Sequence, residues 1–245
     1  MKLIIHDSSA ALGSSAGKEA VSILKNALEA QGHATIIIAT GTSQFAVLDT
    51  LVASPDIDWS KVTLFHLDEY IGLSIQHPAS FRKYINERFI QRVSTLKSIY
   101  LINGESDPII ECKRLGDAII PLQVDLALVG IGENGHLAFN DPPADFTTNE
   151  PYITVLLDEA CRNQQFKEGW FSTFDEVPKK AISMSISQIM RSKHIICSVP
   201  DLRKAEAVYN CLELEIHPRY PASILRQHRS CSLHLDKESS HLLKK

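Results

Sequence analysis

Apolar and polar positions along this chain follow two rhythms that replace one another from end to end. Ala20, Ile23, Leu24, Ala27 and Leu28 recur at helical spacing, which predicts a helix over 16–31 that Gly32 can end. The run ATIIIAT is apolar and β-branched, which predicts a buried strand over 34–39 stopping before Gly41. Phe45, Leu48, Leu51 and Val52 return to one helical face. VTLFHL (62–67) reads as a strand, and Phe81, Ile85 and Phe89, four residues apart, mark another helix. The second half continues with a strand at 98–102, a helix at 108–120 and the apolar run DLALVGI (125–131) as a central strand. Further strands are expected at 153–158, 181–186 and 194–199. A helix over 203–213 with Asp201 as its cap follows, then a last short strand, CSLHL. This alternation predicts one α/β domain over 1–245, with six or seven strands in a mostly parallel sheet and helices on both faces.

Sheets of that kind bind ligands beyond the carboxyl ends of their strands. Four sets of residues fall there. Thr40, Gly41, Thr42 and Ser43 form a small hydroxyl-bearing turn that opens a helix, suited to a phosphate or simply to a cap. Asp68 and Glu69 close an apolar strand, where a carboxylate can serve as a general base or lie solvated in a loop. Tyr70 beside them can pack or bind. Gly132, Glu133, Asn134, Gly135 and His136 follow the central strand, and Asp141 lies near enough to orient the imidazole if the loop folds back. Pro200, Asp201, Arg203 and Lys204 follow 194–199, where an ammonium beside a helix start can clamp a phosphate. The segment 130–135, GIGENG, also matches GxGxxG, and Asp158 stands about where a ribose-binding acid would. A dinucleotide motif must open a helix, however, and Pro142 and Pro143 stop one almost at once.

Composition narrows the picture. The 245 residues are 44% hydrophobic and 22% charged, which fits a soluble globular chain. A formal net charge of -4 argues against a broad nucleic-acid surface. No apolar run is long enough to span a bilayer, and the first residues lack the form of a secretory signal, so neither a membrane nor a nucleic-acid partner is expected and the cytoplasm is the expected location. Five cysteines at 112, 161, 197, 211 and 231 are odd in number and widely spaced, without CxxC, and Cys197 reads as packing. The ten histidines form no HExxH pair, so no metal is expected.

Taken together, these residues resemble the glucosamine-6-phosphate deaminase/isomerase family over nearly the whole chain. The segments that carry the likeness are FHLDEYIGLSIQHPASF, the long LVGIGENGHLAFNDPP, and VPKKAISMSIS followed by RKA. The resemblance implies a Rossmann-like three-layer α/β sandwich shared with 6-phosphogluconolactonases. It implies ring opening of an amino-sugar phosphate, then aldose–ketose isomerisation with release of ammonia, and no metal or organic cofactor. Asp68 matches the carboxylate that moves a proton between C2 and C1. His136 matches the ring-opening acid/base, with Asn134 and Asp141 orienting it. Thr40, Gly41, Thr42, Ser43 and Lys204 match the phosphate site, and Glu69 and Gly135 are counted with the substrate-binding residues.

This chain departs from the family pattern at several points. Asp141 stands where many members carry Glu, so its contact with His136 is expected to be shifted or bridged by water. The family's second phosphate-binding cation, an arginine, has no clear counterpart, and Arg162 and Lys167 are the nearby replacements. The short polar tail carries over neither a hexamer nor an allosteric site and leaves homo-oligomerisation open. Two other readings share the fold: a 6-phosphogluconolactonase, in which Asp68 has no obvious duty, and a non-catalytic sugar-phosphate sensor, which usually brings a DNA-binding segment.

Overall fold

The computed structural model describes residues 1–93 and 95–244. The first half runs β1 (Lys2–His6), α1 (Ser9–Gln31), β2 (Ala34–Ile38), α2 (Phe45–Val52), β3 (Val62–His66), β4 (Asp68–Tyr70), α3 (Phe81–Arg88), β5 (Ser98–Tyr100) and α4 (Pro108–Ile119). The second runs β6 (Leu126–Val129), β7 (Tyr152–Leu156), α5 (Glu159–Lys167), β8 (Lys180–Met184), α6 (Ile186–Met190), β9 (His194–Val199), α7 (Ala205–Glu213) and β10 (Cys231–Asp236). Local chemistry sets the boundaries. The Ser8 hydroxyl accepts from Ala11 N–H to start α1, and Gly32, at φ 75°, ends it in the left-handed conformation that only glycine adopts without cost.

Seven strands form one all-parallel sheet in the order β1-β10-β9-β6-β2-β3-β5. Successive side chains point to opposite faces, so Ile36 and Ile38 of β2 join one core and Ile37 the other. The first core takes Ala16, Ala20 and Leu24 of α1, Val47, Leu48 and Leu51 of α2, and Ile85 of α3. The second takes Leu115 and Ile119 of α4, Ile189 of α6, and Val208 and Cys211 of α7. This is the expected three-layer α/β sandwich, and Cys197 lies fully buried in its core as packing.

Two strand assignments differ from the sequence reading. The segments at 153–158 and 181–186 do not enter the parallel sheet; β7 and β8 pair antiparallel with each other, and β8 pairs with β4 in a separate three-stranded sheet. The physical reason is visible in β7, where Thr154 and Leu156 are exposed. A strand with one wet face suits a small antiparallel sheet and not a layer covered on both sides. The exposed strand β1 at the sheet edge was not expected, because KLIIH is short, with only three apolar residues in a row.

Helix α2 begins just after the Thr40–Ser43 turn, so its close packing against α1 also fixes where that turn lies. A Cβ on Gly13 would lie 2.2 Å from Ala46 Cβ, and one on Gly17 would lie 2.5 Å from Thr50 Cβ. Gly13→Ala is therefore expected to destabilise the protein by about 1–3 kcal/mol through overpacking, outweighing a helix-propensity gain of at most about 1 kcal/mol, as read from denaturant midpoints. Equal or higher stability would show that the two helices can move apart freely.

Candidate active site

All four residue sets at the carboxyl ends of the strands meet in one cavity of about 360 Å³, lined by residues from Ser9 to Glu238. Its size suits a small ligand. Thr40–Ser43, Asp68, His136 and Lys204 all contribute to its wall, as do Gly130–Gly132 and Pro200, Asp201 and Arg203.

The turn after β2 has Gly41 at φ 100°, a value open to glycine, followed by a single tight turn over Thr42–Gln44 that leads into α2. The Gly41 carbonyl accepts from the Tyr84 hydroxyl at 3.1 Å. The buried Gln44 amide donates to Ser43 Oγ at 3.2 Å. The turn is thus held from both sides, and all four of its residues lie in the cavity wall.

Asp68 occupies the point where the chain leaves one sheet for the other. Leu67 N–H donates to Ile38 O at 3.3 Å in the parallel sheet, and Leu67 O accepts from Met184 N–H at 2.6 Å on the small one. One residue later Asp68 is paired opposite Ser183. Burial pushes the Asp68 carboxyl up to about 8, and the neighbouring Glu69 charge adds to the shift. Glu69, expected among the substrate-binding residues, does not reach the cavity, which corrects that placement. It lies outside the cavity wall and is fully buried. Its carboxylate accepts from the Ser80 hydroxyl at 2.9 Å and from the backbone N–H groups of Tyr70, Phe81 and Arg82 at 3.0, 3.3 and 2.8 Å. It pins the start of α3 beneath the cavity. Tyr70 packs as well, donating its hydroxyl to Gln165 Oε1 at 2.8 Å.

His136 sits in a loop that closes on itself. Gly132 N–H donates to the His136 carbonyl at 3.0 Å, and the imidazole lies so close to Gly132 that a Cβ there would fall 2.2 Å from Nε2. Asp141 Oδ1 contacts His136 Nδ1 directly at 3.0 Å, so the shorter acid needs no bridging water. Burial tends to raise the Asp141 carboxyl but is outweighed by hydrogen bonds from His136, Asn134 and Asp158 N–H, which hold it below the usual range. An ionised carboxylate only accepts, so Nδ1 carries a proton, and in the neutral imidazole Nε2 is the nitrogen with the free lone pair. Asn134 completes the frame: its Nδ2 donates to Asp141 Oδ1 at 3.0 Å and its Oδ1 accepts from His136 N–H at 3.1 Å. Asn134 and Asp141 stand behind the imidazole and not in the cavity wall. Gly135, also expected to bind substrate, is likewise outside it. At φ 86° it makes the turn, and its carbonyl accepts from Ala222 N–H at 3.0 Å. The GIGENG run opens no helix, which removes the dinucleotide reading. Asp158 caps α5 through Cys161 N–H instead of meeting a ribose.

The fold also brings Cys161 near this frame, with donor atoms of His136, Asp141 and Cys161 all within 4.8 Å of one another. His136 and Asp141 are committed to each other, and Asp141 also to Asn134 and Asp158, so the group works as an orienting network.

Lys204 ends a tight turn over Leu202–Lys204 that Asp201 caps through Arg203 N–H, one step before α7. The expected cap thus acts on that turn and not on the helix itself. Burial pulls the Lys204 ammonium below the usual lysine range against the opposing pull of Glu133 and Glu168. Among the described residues it has no ion-pair partner. The expected replacements for the second cation do not reach the cavity. Arg162 is buried, donating to the Val177 and Phe174 carbonyls and stacking on Phe174, and Lys167 is exposed outside the wall. Arg203 is the other cation in the wall. The sequence reading missed Gln164, Gln165, Glu168 and Trp170, from α5 and just beyond it. Two glutamines buried on one short polar helix are the signal that could have found them.

Residues 7–234 match the family described as glucosamine-6-phosphate isomerases/6-phosphogluconolactonase. The glucosamine-6-phosphate deaminase of Lactobacillus delbrueckii subsp. bulgaricus is 36% identical over 247 aligned positions, covering 100% of each chain. A solved structure described as a monomeric glucosamine-6-phosphate deaminase superposes with a TM-score of 0.89 at 31% identity, covering 99% of this chain and 100% of the other. A 6-phosphogluconolactonase from Shewanella baltica shares the fold at a TM-score of 0.80 and 19% identity, covering 96% of this chain and 97% of its own.

An acid whose pKa rises on folding gives a stability contribution that is complete below its unfolded value and lost as pH rises through the folded one. For Asp68 that window runs from the ordinary 3.8 to about 8. The ligand-free protein is expected to show a protonated-carboxyl infrared band that vanishes near the upper limit and is missing in Asp68→Asn. Wild-type stability should fall relative to that variant across the same window. An Asp68 already ionised at pH 6 would contradict the burial argument.

Proposed function

The chain belongs to the glucosamine-6-phosphate isomerase/6-phosphogluconolactonase family, and within it we propose that this protein converts glucosamine 6-phosphate, with water, to fructose 6-phosphate and ammonia. The observation that carries the reading is the presence of Asp68 and His136 in the wall of one cavity, with Lys204 and the Thr40–Ser43 turn in that same wall. We take 1–245 as one domain that supplies the whole site from a single chain, acting in the cytoplasm. Among the described residues no helix is long and apolar enough to cross a membrane.

The chemistry follows from the geometry. Lys204, the turn hydroxyls and backbone N–H groups hold the phosphate, and that remote binding energy positions the reacting carbons. His136, with its proton on Nδ1 and a lone pair on Nε2, takes the proton from the anomeric hydroxyl and returns it to the ring oxygen, which opens the sugar. Asp141 stabilises the imidazolium formed on the way. Asp68 in its carboxylate form then removes the proton from C2 while the substrate's ammonium passes a proton to the C1 carbonyl oxygen, giving an enolamine. It returns the proton to C1, leaving an imine at C2. Water adds at C2, the C–N bond breaks and ammonia leaves. Burial serves the base, because a carboxylate with a pKa near the working range drives proton removal from carbon better than an ordinary aspartate. A lactonase has no comparable use for a base that faces carbon.

Purified protein is expected to release ammonia from glucosamine 6-phosphate, and no release from any hexosamine phosphate would overturn the reading. Asp68→Asn should cut kcat by roughly 10²- to 10⁴-fold while substrate still binds. Lys204→Ala should raise KM about ten- to a hundredfold, the size of one lost charge-assisted hydrogen bond. In the wild type, kcat/KM should rise with pH through a limb near about 8, the value of Asp68 in the free enzyme.

A further inference from the structure

The charges at the anion end of the cavity do not add up in favour of an anion. Arg203 and Lys204 are the cations in its wall. Arg203 is already tied to Asp201 at 2.8 Å and to Glu133 at 3.4 Å. Glu168 stands in the same wall, and its Oε1 accepts from Gln164 Nε2 at 3.1 Å. Gln164 Oε1 in turn accepts from Glu133 N–H at 2.9 Å, so the Glu168 carboxylate is linked through one side chain to the loop that carries Glu133. Asp201, Glu133 and Glu168 thus stand around two cations before any phosphate enters, and Asp236 and Glu238 lie in the same wall. The Glu168 charge acts on both Arg203 and Lys204, so it lies within their field. Among the described residues no cation is paired with it, and the proposed reaction gives it no proton to move.

We propose that Glu168 is a specificity-determining residue that opposes the substrate's phosphate across from Lys204 and so holds the affinity for phosphorylated ligands down. The inference rests on placing the phosphate beside Lys204, as in the proposed function. In a partly enclosed wall, charges a few ångströms apart are screened less than in open water, so one extra carboxylate weighs directly on the binding of a dianion. Lys204 and the Thr40–Ser43 hydroxyls attract the phosphate, Glu168 repels it, and the balance sets KM without touching the proton transfers.

The test compares wild type with Glu168→Gln, which keeps the shape and removes the charge, and with Glu168→Ala, which removes both charge and hydrogen bond. Steady-state ammonia release gives KM and kcat, and calorimetric titration with inorganic phosphate gives anion affinity independently of turnover. Both variants are expected to bind inorganic phosphate about fivefold more tightly, with KM for glucosamine 6-phosphate lowered by a similar factor and kcat changed by less than about twofold. Equal or weaker phosphate binding in the folded variants overturns the proposal, because Glu168 would then lie outside the anion's field or contact the substrate itself. If wild type releases no ammonia, the deaminase reading fails, while the phosphate titration still decides the role of Glu168.

Discussion

In the proposed reaction Asp68 acts on a carbon acid, a task a carboxylate performs best when held out of water and aimed, and the junction between the two sheets meets both needs. Leu67 is bonded on one side to the parallel sheet and on the other to the antiparallel one, so the backbone at Asp68 has no freedom to slide. A slip of one residue would turn every side chain of β4 to the opposite face, taking Asp68 out of the cavity. The same burial that fixes the group also raises its pKa. Position and basicity are therefore one property of the fold.

The imidazole is held on a different principle. His136 stands in an irregular loop, and its aim comes from close packing against Gly132 and from a hydrogen-bonded frame of Asn134, Asp141 and Asp158. A glycine is needed where the ring touches backbone, and a second is needed at Gly135, where the chain turns at positive φ. Sheet register sets the carboxylate, and local steric fit sets the imidazole. The two groups share a cavity because both segments end at the same edge of the parallel sheet.

Much of this was legible in the sequence. The strand ends at 39, 67, 131 and 199 pointed to one crest because parallel strands must deliver their carboxyl ends to the same side. The GENGHLAFND run showed glycines ahead of a histidine with an acid five residues on, and the structure brings that acid within 3.0 Å of the ring. What stayed hidden depended on contacts between distant segments. Glu69 looked like a second site acid, and only the approach of Ser80, Phe81 and Arg82 shows it to be a buried anchor. Arg162 looked like a replacement anion ligand until its helix proved to turn it onto the carbonyls of Phe174 and Val177. Lys2–His6 and the antiparallel strands were hard to read for a related reason. Short strands with one wet face carry little periodic signal of their own.

The cavity wall also draws on both outer parts of the chain, with Ser9 at one end and Asp236 and Glu238 at the other. The strands that lead to them, β1 and β10, are neighbours in the sheet although more than two hundred residues separate them. Contacts of such long sequence range close late in folding, since the loop entropy must be overcome before they give anything back. During synthesis on the ribosome, the segments that carry Asp68 and His136 are made before β10, while the pocket still lacks part of its wall. Until the sheet takes in β10, the pocket is without Asp236 and Glu238, and β1, which leads to Ser9, is without its neighbour in the sheet.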